Sequence, residues 1–169
     1  MFIEPTGTGM TIGLLREYIN KHKERFPHYR ELLDAYTGKY PILQAEPKPK
    51  WKPDNRLMVN YAKYITDTMN GFFIGNPIKI VSDDESVSDF VEYLDQYNDQ
   101  DDNNAELSKI MSIYGNGFEM YYTDENSELC MTYLSPAEAF MIYDDSIVER
   151  PLYFVRRYKI GRASCRERV

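Results

Sequence analysis

The stretch from Leu57 to Val81 constrains the fold of this chain more than any other part of the sequence. Its apolar residues recur at intervals of three and four, a spacing that predicts a helix with one apolar face. That face carries Met58, Tyr61, Ala62, Ile65, Met69 and Phe72. The polar residues that fall outside the face and can remain in water are Asn60, Lys63, Asp67 and Asn70. A helix this apolar has to be covered, so we expect other elements to pack on it.

The residues at the two ends of this stretch predict where the helix begins and ends. Asp54 or Asn55 can accept hydrogen bonds from the free N–H groups of the first turn. Gly75 can adopt the left-handed conformation that ends a helix, and Pro77 prevents its continuation. The apolar β-branched residues between Ile78 and Val81 then favour a short strand.

Composition places the chain among folded globular proteins. It has 169 residues, 43% of them hydrophobic, which is enough for one domain with its own core. No apolar run is long enough to span a bilayer, and the N-terminus lacks the pattern of a secretion signal. Cys130 and Cys165 match neither a metal motif nor a disulfide motif. The 15 tyrosines suit surfaces that a partner half covers, or the edges of a core.

Charge is distributed unevenly along the chain. The formal net charge is −7, which argues against a free-standing nucleic-acid binder held by phosphate contacts. The segment from Arg16 to Arg56 holds ten Lys/Arg against six Asp/Glu, whereas Asp83 to Asp102 holds nine Asp/Glu and no Lys or Arg. These segments indicate two differently charged surfaces, either complementary across a subunit contact or simply solvated.

The first part of the chain predicts a helical hairpin. Residues 1–10 are expected to be a flexible N-terminus. Thr11 is predicted to cap a helix that runs to about Glu24, and a second helix is predicted from His28 to Thr37, ended by Gly38.

A proline-rich connector over Lys39 to Asp54 is expected to be extended. Its lysines (Lys48, Lys50 and Lys52) and Trp51 form a basic–aromatic patch, which could touch a phosphate backbone or an acidic neighbour. We favour a stiff solvated strap whose Trp51 fills the edge of a core, because three lysines make few phosphate contacts.

Further helices precede a set of strands. Acids from Asp83 to Glu85 suit the start of the first helix. Its predicted inner face carries Val87, Phe90, Val91, Leu94 and Tyr97. A polar loop over Asn98 to Asn104 precedes a helix over Ala105 to Tyr114, which is closed by Gly115. Alternation then predicts strands over residues 118–122, 129–134, 139–143 and 151–158. Helices first and strands last indicate the α+β class, with a small antiparallel β-sheet.

The last ten residues, 160–169, differ from the rest because they show no periodicity. They resemble the translation of a common sequencing-adapter sequence joined in frame. We therefore predict a non-native tail there and one folded region over residues 11–159. The alternative is a basic, disordered end.

One acidic segment has part of the spacing of a calcium-binding loop. Asp99, Asp101 and Asn103 alternate as calcium ligands do. Asn104 stands where the loop needs glycine, and Ile110 stands where it needs a bidentate glutamate. An acidic loop before a helix explains the pattern better.

Other candidate motifs have ordinary structural explanations. His22 and His28 lack partners at ligand spacing and are predicted to be surface or helix-end residues. Ser135 lacks the glycines of a nucleophile elbow. The acidic pairs Asp83-Asp84 and Asp144-Asp145 fit turns. We therefore predict no catalytic, cofactor-binding or metal-binding residue, no cofactor and no enzymatic activity.

Three runs in combination resemble the portal proteins of tailed phages, the head–tail connectors of siphovirus type. They read YAKYITDTMNGFFIGNPIKI, NDQDDNNAELSKIMSIYGNGFEMYY and YLSPAEAFMIYDDSIVERPLYFVRRY. The shared features are the helical hairpin that ends near Tyr40, the junction Gly75-Asn76-Pro77, the helix before Tyr114-Gly115 and the turn Leu134-Ser135-Pro136. The resemblance covers nearly all of Thr11 to Lys159.

The resemblance implies a structural subunit of a ring, usually of twelve copies, at one vertex of the virion. Double-stranded DNA passes through the channel of such a ring without sequence-specific binding. The implied partners are further copies of the chain, terminase, scaffold or capsid proteins and head-completion proteins, with assembly in the host cytoplasm and no membrane. The chain corresponds to the N-terminal, wing-like region, without stem or clip, and without catalytic residues.

The alternative is a small acidic protein-binding or adaptor module that docks a basic partner through Asp83 to Asp102. A third hypothesis is a metal-dependent nuclease, which is disfavoured because no acid pairs with a Lys or His at a strand end. Charge reversal at Asp95 and Asp99 separates the first two hypotheses. Magnesium-dependent DNA cleavage abolished by Asp101→Ala would support the third.

Overall fold

A computed structural model of the chain describes residues 2–7, 9–159 and 167–168. The helices are α1 (Ile12–Lys23), α2 (Phe26–Thr37), α3 (Pro41–Gln44), α4 (Tyr61–Ile74), α5 (Glu85–Asn98) and α6 (Gln100–Tyr114). The strands are β1 (Phe2–Glu4), β2 (Phe118–Thr123), β3 (Leu129–Leu134), β4 (Ala139–Asp144), β5 (Pro151–Arg156), β6 (Tyr158–Lys159) and β7 (Glu167–Arg168). This arrangement confirms the α+β class.

The strands are divided among separate sheets instead of forming one. Strands β2 and β3 make an antiparallel hairpin, and β6 pairs with β7. The order of the third sheet is β1-β4-β5, in which β1 is parallel to β4 and β5 is antiparallel to it. The chain changes sheet at the turn after β3, where the N–H of Ala139 donates to the carbonyl oxygen of Ser135 at 3.1 Å.

The core lies between α1 and the three-stranded sheet. Its buried residues are Phe2, Tyr18, Ile19, Phe140, Ile142 and Val155. Met10, Leu14, Leu15 and Tyr153 pack against this cluster. Every strand of the sheet contributes to the core, which explains why its central strand, β4, is the most completely buried element.

The N-terminus differs from the expected flexible segment, because residues 2–4 form β1. Phe2 pairs with Ile142 in the sheet and is only 6% exposed. The hydroxyl group of Tyr18 lies 2.8 Å from the carbonyl oxygen of Ile3 and also contacts the carboxylate of Glu4. Burial of an aromatic ring together with these polar contacts holds the segment in place.

The helical hairpin has the predicted cap at Thr11 and the predicted end at Gly38, but α2 begins at Phe26, two residues before the predicted His28. The side chain of Thr11 accepts a hydrogen bond from the N–H of Leu14 at 3.2 Å and so caps α1. Pro27 lies in the first turn of α2, and Gly38 ends that helix in the left-handed conformation, with φ +77°. Ile12, which the apolar spacing predicts to face inward, is 73% exposed.

Helix α4 is shorter than predicted at its start. Its cap is Asn60, which accepts from the N–H of Lys63 at 2.9 Å and donates to the carbonyl oxygen of Tyr36 at 2.8 Å. Asp54, one of the two predicted caps, instead pairs with Arg56 at 2.8 Å. The predicted cap was wrong because Asn60 also gains a partner on α2, whereas Asp54 is held by its neighbour Arg56.

The end of α4 also departs from the prediction. Gly75 is right-handed, with φ −64°, and a Cβ there would lie 2.2 Å from the carbonyl oxygen of Gly71, so close approach is what requires glycine. The predicted strand over residues 78–81 is absent from the described structure, since this segment pairs with no other strand. Ile78 and Ile80 instead line an open groove beside α5.

Helix α6 begins five residues earlier than Ala105, so the predicted polar loop over Asn98 to Asn104 is wrong. Only Asp99, at φ +50°, separates α5 from α6. The side chain of Asn103 donates to the carbonyl oxygen of Asn98 at 2.7 Å and so satisfies a free group at the end of α5. A short junction is therefore possible without a loop.

Candidate interaction surfaces

The apolar face of α4 is not covered by the described part of the chain. Phe72 is 91% exposed, and Ile65 and Met69 are each 58% exposed. The face that packs against α2 and α6 carries Ala62, Thr66, Asn70 and Ile74. Other elements therefore do pack on α4, as expected, but apart from Ala62 they leave the predicted apolar face exposed.

Polar contacts explain why α4 turns its smaller and more polar face inward. The hydroxyl group of Tyr36 on α2 donates to the carboxylate of Asp67 on α4 at 2.9 Å. Together with the Asn60–Tyr36 hydrogen bond, this contact fixes the rotation of α4 about its axis. The pKa of Asp67 is lowered, mainly because of the Tyr36 hydrogen bond. Asn60 and Asp67, predicted to remain in water, thus orient the helix.

Helix α5 likewise exposes aromatic residues. Phe90 is 56% exposed, and Tyr93 and Tyr97 are each 44% exposed. The rings of Tyr93 and Tyr97 stack with centroids 5.7 Å apart. Of the residues predicted to face inward on this helix, Val91 and Leu94 are partly buried, whereas Val87, Phe90 and Tyr97 are exposed.

The Tyr97 side chain is also fixed by a polar contact. Its hydroxyl group donates to the carboxylate of Asp124 in the β2–β3 turn at 3.0 Å. This hydrogen bond is the main reason that the pKa of Tyr97 is raised to about 12. The exposed aromatic stripe of α5 is therefore held in one orientation.

The acidic segment keeps its negative charge unneutralised. None of the ion pairs between described residues involves an acid between Asp83 and Asp102. Asp84 caps α5 by accepting from the N–H of Ser86 at 2.9 Å, and hydrogen bonds to Ser86 lower the pKa of its carboxyl group. Asp84 therefore has the helix-start role predicted for it.

The connector after α2 carries the exposed positive charge. It includes the short helix α3, and Arg56 folds back to donate to the carbonyl oxygens of Ala45 and Glu46. Trp51 is 76% exposed, with the ammonium of Lys52 4.7 Å from its ring centroid. The prediction that Trp51 fills the edge of a core is wrong, because the connector closes on itself through Arg56.

His22 was predicted to be a surface or helix-end residue, and the structure shows that it is buried. It lies in the last turn of α1, but it is fully buried among the rings of Phe2, Phe26 and Phe140. Its Nε2 lies 2.7 Å from the carbonyl oxygen of Pro136, and burial lowers its pKa. Its spacing of four from Tyr18 would have placed it on the buried face of the helix.

The acids and histidines of the described residues form no cluster of three or more that could hold a metal ion. Asp101 and Asn103 lie on α6 and Asp99 at the junction before it. Asp144 accepts from the hydroxyl of Ser146 at 2.7 Å, which lowers the pKa of Asp144, and the turn chemistry predicted for it is confirmed. Cys130 is a free thiol, and Cys165 lies outside the described residues.

Two further findings concern the chain as a whole. None of the helices in the described ranges combines the length and the hydrophobicity needed to cross a bilayer. Of the predicted tail over residues 160–169, residues 160–166 and 169 lie outside the described residues, and the prediction of a non-native tail remains a prediction.

The family model described as phage portal protein, SPP1 Gp6-like, matches residues 15–167, which is most of the chain. A search of curated proteins finds no match.

Proposed function

Because the chain belongs to the family of phage portal proteins of the SPP1 Gp6-like type, we propose that it is a structural subunit of the ring at the portal vertex. In this role it helps to form the channel through which DNA is packaged and ejected, and it connects head and tail. The family is a structural one and not a family of enzymes. No residue of the chain is assigned a catalytic, metal-binding or cofactor-binding role in this proposal.

The finer features of the proposal follow the family resemblance. The ring has twelve copies, is assembled in the host cytoplasm and becomes part of the virion. Its partners are terminase, scaffold or capsid proteins, head-completion proteins and double-stranded DNA, which passes without sequence-specific contacts. The described residues correspond to the wing-like region of such a subunit.

The observation that carries the proposal is the exposed apolar surface on α4 and α5, taken together with the family match. Large exposed apolar patches on a folded chain are typical of protein–protein contacts. Phe72 and Phe90 are more than half exposed, although each lies on a well-formed amphipathic helix. A ring subunit needs such surfaces, because each copy has to bind two neighbours.

Immunogold electron microscopy of virions of the phage that encodes this protein tests the proposal. Antibody against the chain should label one vertex of each particle, at the point where the tail joins. Particles disrupted before labelling should release the antigen as rings. Label spread over the whole capsid, or antigen absent from virions, would contradict the portal role.

The unneutralised acids between Asp83 and Asp102 favour a second candidate, an adaptor that docks a basic partner. Charge reversal at Asp95 and Asp99 distinguishes the two. An adaptor should lose its basic partner in the double variant Asp95→Lys/Asp99→Lys, as measured by pull-down. A portal subunit should still be incorporated into virions.

A further inference from the structure

We propose that copies of this chain bind one another head to tail, with the connector and α4 of one copy against α5 of the next. The first surface, the strap–α4 surface, comprises Lys50, Trp51 and Lys52 with the exposed apolar stripe of α4. The second, the α5 surface, comprises Phe90, Tyr93 and Tyr97 with the acids beside them on the helix, Asp89 and Glu92. The inference rests on the proposed function, which requires copies to meet, and it assigns which surfaces meet.

The strap–α4 surface combines apolar side chains with positive charge. Neither Lys50 nor Lys52 takes part in an ion pair between described residues. Trp51 projects into solvent beside Lys52. The connector leads through the exposed segment Leu57–Val59 directly into α4. Tryptophan and methionine are enriched in protein interfaces, where they fill complementary hollows.

The α5 surface has the opposite charge and a similar apolar content. Phe90, Tyr93 and Tyr97 follow one another at three- and four-residue spacing along the exposed side of the helix. Asp89 and Glu92 flank the stripe and are exposed. Because Tyr97 is bonded to Asp124, the aromatic rings are already ordered, so less side-chain entropy is lost when a partner binds.

This charge complementarity indicates that the partner of each surface is the other surface on a second copy of the chain. A surface that paired with a second copy of itself would place like charges together, either Lys50 and Lys52 against lysines or Asp89 and Glu92 against acids, which is unfavourable. Pairing the strap–α4 surface with the α5 surface places opposite charges together and apolar stripes against each other. Because the two surfaces differ, each copy of a bound pair keeps its other surface free for a further copy, and head-to-tail contacts of this kind generate rings when the rotation between copies closes.

The two surfaces lie on different helices that share a common neighbour. Helices α4 and α5 each pack on α6, which lies between them in the contact pattern. A copy can therefore present both surfaces at the same time to two different neighbours.

Site-specific crosslinking tests the assignment. In a background with Cys130→Ser and Cys165→Ser, one preparation carries Lys52→Cys and another carries Asp89→Cys. A short bismaleimide should join the two preparations when they are mixed, and it should join neither preparation with itself. Glu17→Cys on α1, which is exposed and far along the chain from both surfaces, is the matched control and should give no crosslink with either.

The outcomes separate the interface from the portal role. Crosslinking of Lys52→Cys with itself, or no crosslinking in the mixture at concentrations where the chain associates, would overturn the head-to-tail assignment. A persistently monomeric chain would overturn it as well. Vertex labelling of virions is measured independently, so the portal role can survive either result.

Charge reversal gives the quantitative test. Lys50→Glu/Lys52→Glu and Asp89→Lys/Glu92→Lys should each weaken self-association about tenfold or more, measured by sedimentation velocity. Mixing the two variants should restore association, because the substituted strap of the first faces the substituted α5 of the second, and the native strap of the second faces the native α5 of the first. Weakening without restoration in the mixture would show that the charges do not face each other.

Discussion

Two regions of this molecule contain the same kinds of apolar residue, but one region buries them and the other exposes them. In the β-core, made of α1 and the β1-β4-β5 sheet, Phe2, Phe140 and Ile142 are buried against one another. On the outer helices α4 and α5, Ile65, Phe72 and Phe90 have comparable side chains but remain exposed.

This comparison shows that an amphipathic pattern alone does not determine whether apolar side chains are buried within the chain. The β-core contains the partners of its own apolar residues, since helix and strands from both ends of the chain supply them. Helix α4 is anchored to α6 and α2 by small and polar residues such as Thr66, which leaves its apolar stripe for another surface, whereas α5 packs on α6 and β3. The apolar residues of the β-core stabilise the fold, whereas those of the outer helices are available to bind another copy of the chain.

The largest expected effect is a cavity in the β-core. Ile142→Ala should lower the free energy of unfolding by about 2–5 kcal/mol, because a fully buried side chain loses its contacts and leaves a void. Ile65→Ala on α4 is the matched control and should change it by no more than about 0.5 kcal/mol. Urea denaturation of dilute protein followed by circular dichroism measures both. Equal losses in the two variants would remove the distinction between the regions.

A smaller effect is expected from a single hydroxyl group in the β-core. Tyr18→Phe removes the group that contacts Ile3 and Glu4 and should cost about 1–3 kcal/mol, because a buried polar partner is left unsatisfied. Tyr64→Phe on α4, where the ring is largely exposed, should leave stability unchanged. The same denaturation experiment serves, and a neutral Tyr18→Phe variant would show that β1 is not held by this contact.

Helix caps should separate global from local stability. Thr11→Ala should lower the free energy of unfolding by about 1 kcal/mol, since α1 is part of the β-core. Asp84→Ala should leave global stability nearly unchanged while it frays the start of α5, because that helix contributes little to the core. Amide hydrogen exchange at Ser86 and Val87 should then be faster. Unchanged exchange at these amides would argue against a capping role for Asp84.

The smallest expected effect is the contribution of His22 to the pH dependence of stability. Burial lowers its pKa below the unfolded value of 6.5, so the neutral form stabilises the fold. Stability should therefore be complete above the unfolded pKa and should fall as pH decreases below it, since the unfolded chain then binds the proton more readily. His22→Gln should flatten this dependence between about pH 7 and pH 5. His28→Gln, on the exposed side of α2, should retain it, and a steep slope in His22→Gln would assign the proton to another group.

Local sequence signals predicted much of the fold. The cap at Thr11, the left-handed Gly38 and Gly115 and the strands of the β2–β3 hairpin follow from residue types within a few positions of each other. These features were predictable because turns, caps and hairpins depend on short-range chemistry.

Features that depend on distant partners were missed. Phe2 is in the core because β1 pairs with β4, which lies about 140 residues later, and no local pattern marks such pairing. Asn60 caps α4 because of Tyr36 on another helix. The apolar stripe of α4 was expected to face other elements of the chain, but it is exposed. Periodicity predicts that an apolar face needs a partner but not which molecule supplies that partner.

The most direct test is hydroxyl-radical footprinting of the chain at low and at high concentration, which reports side-chain exposure. On association, Met69 and Phe72 on α4 and Phe90 and Tyr93 on α5 should become protected. Met111, exposed on α6, should keep its reactivity. Associated chains in which α4 and α5 react as fast as in dilute chains would contradict the claim that these helices are built for contact between copies.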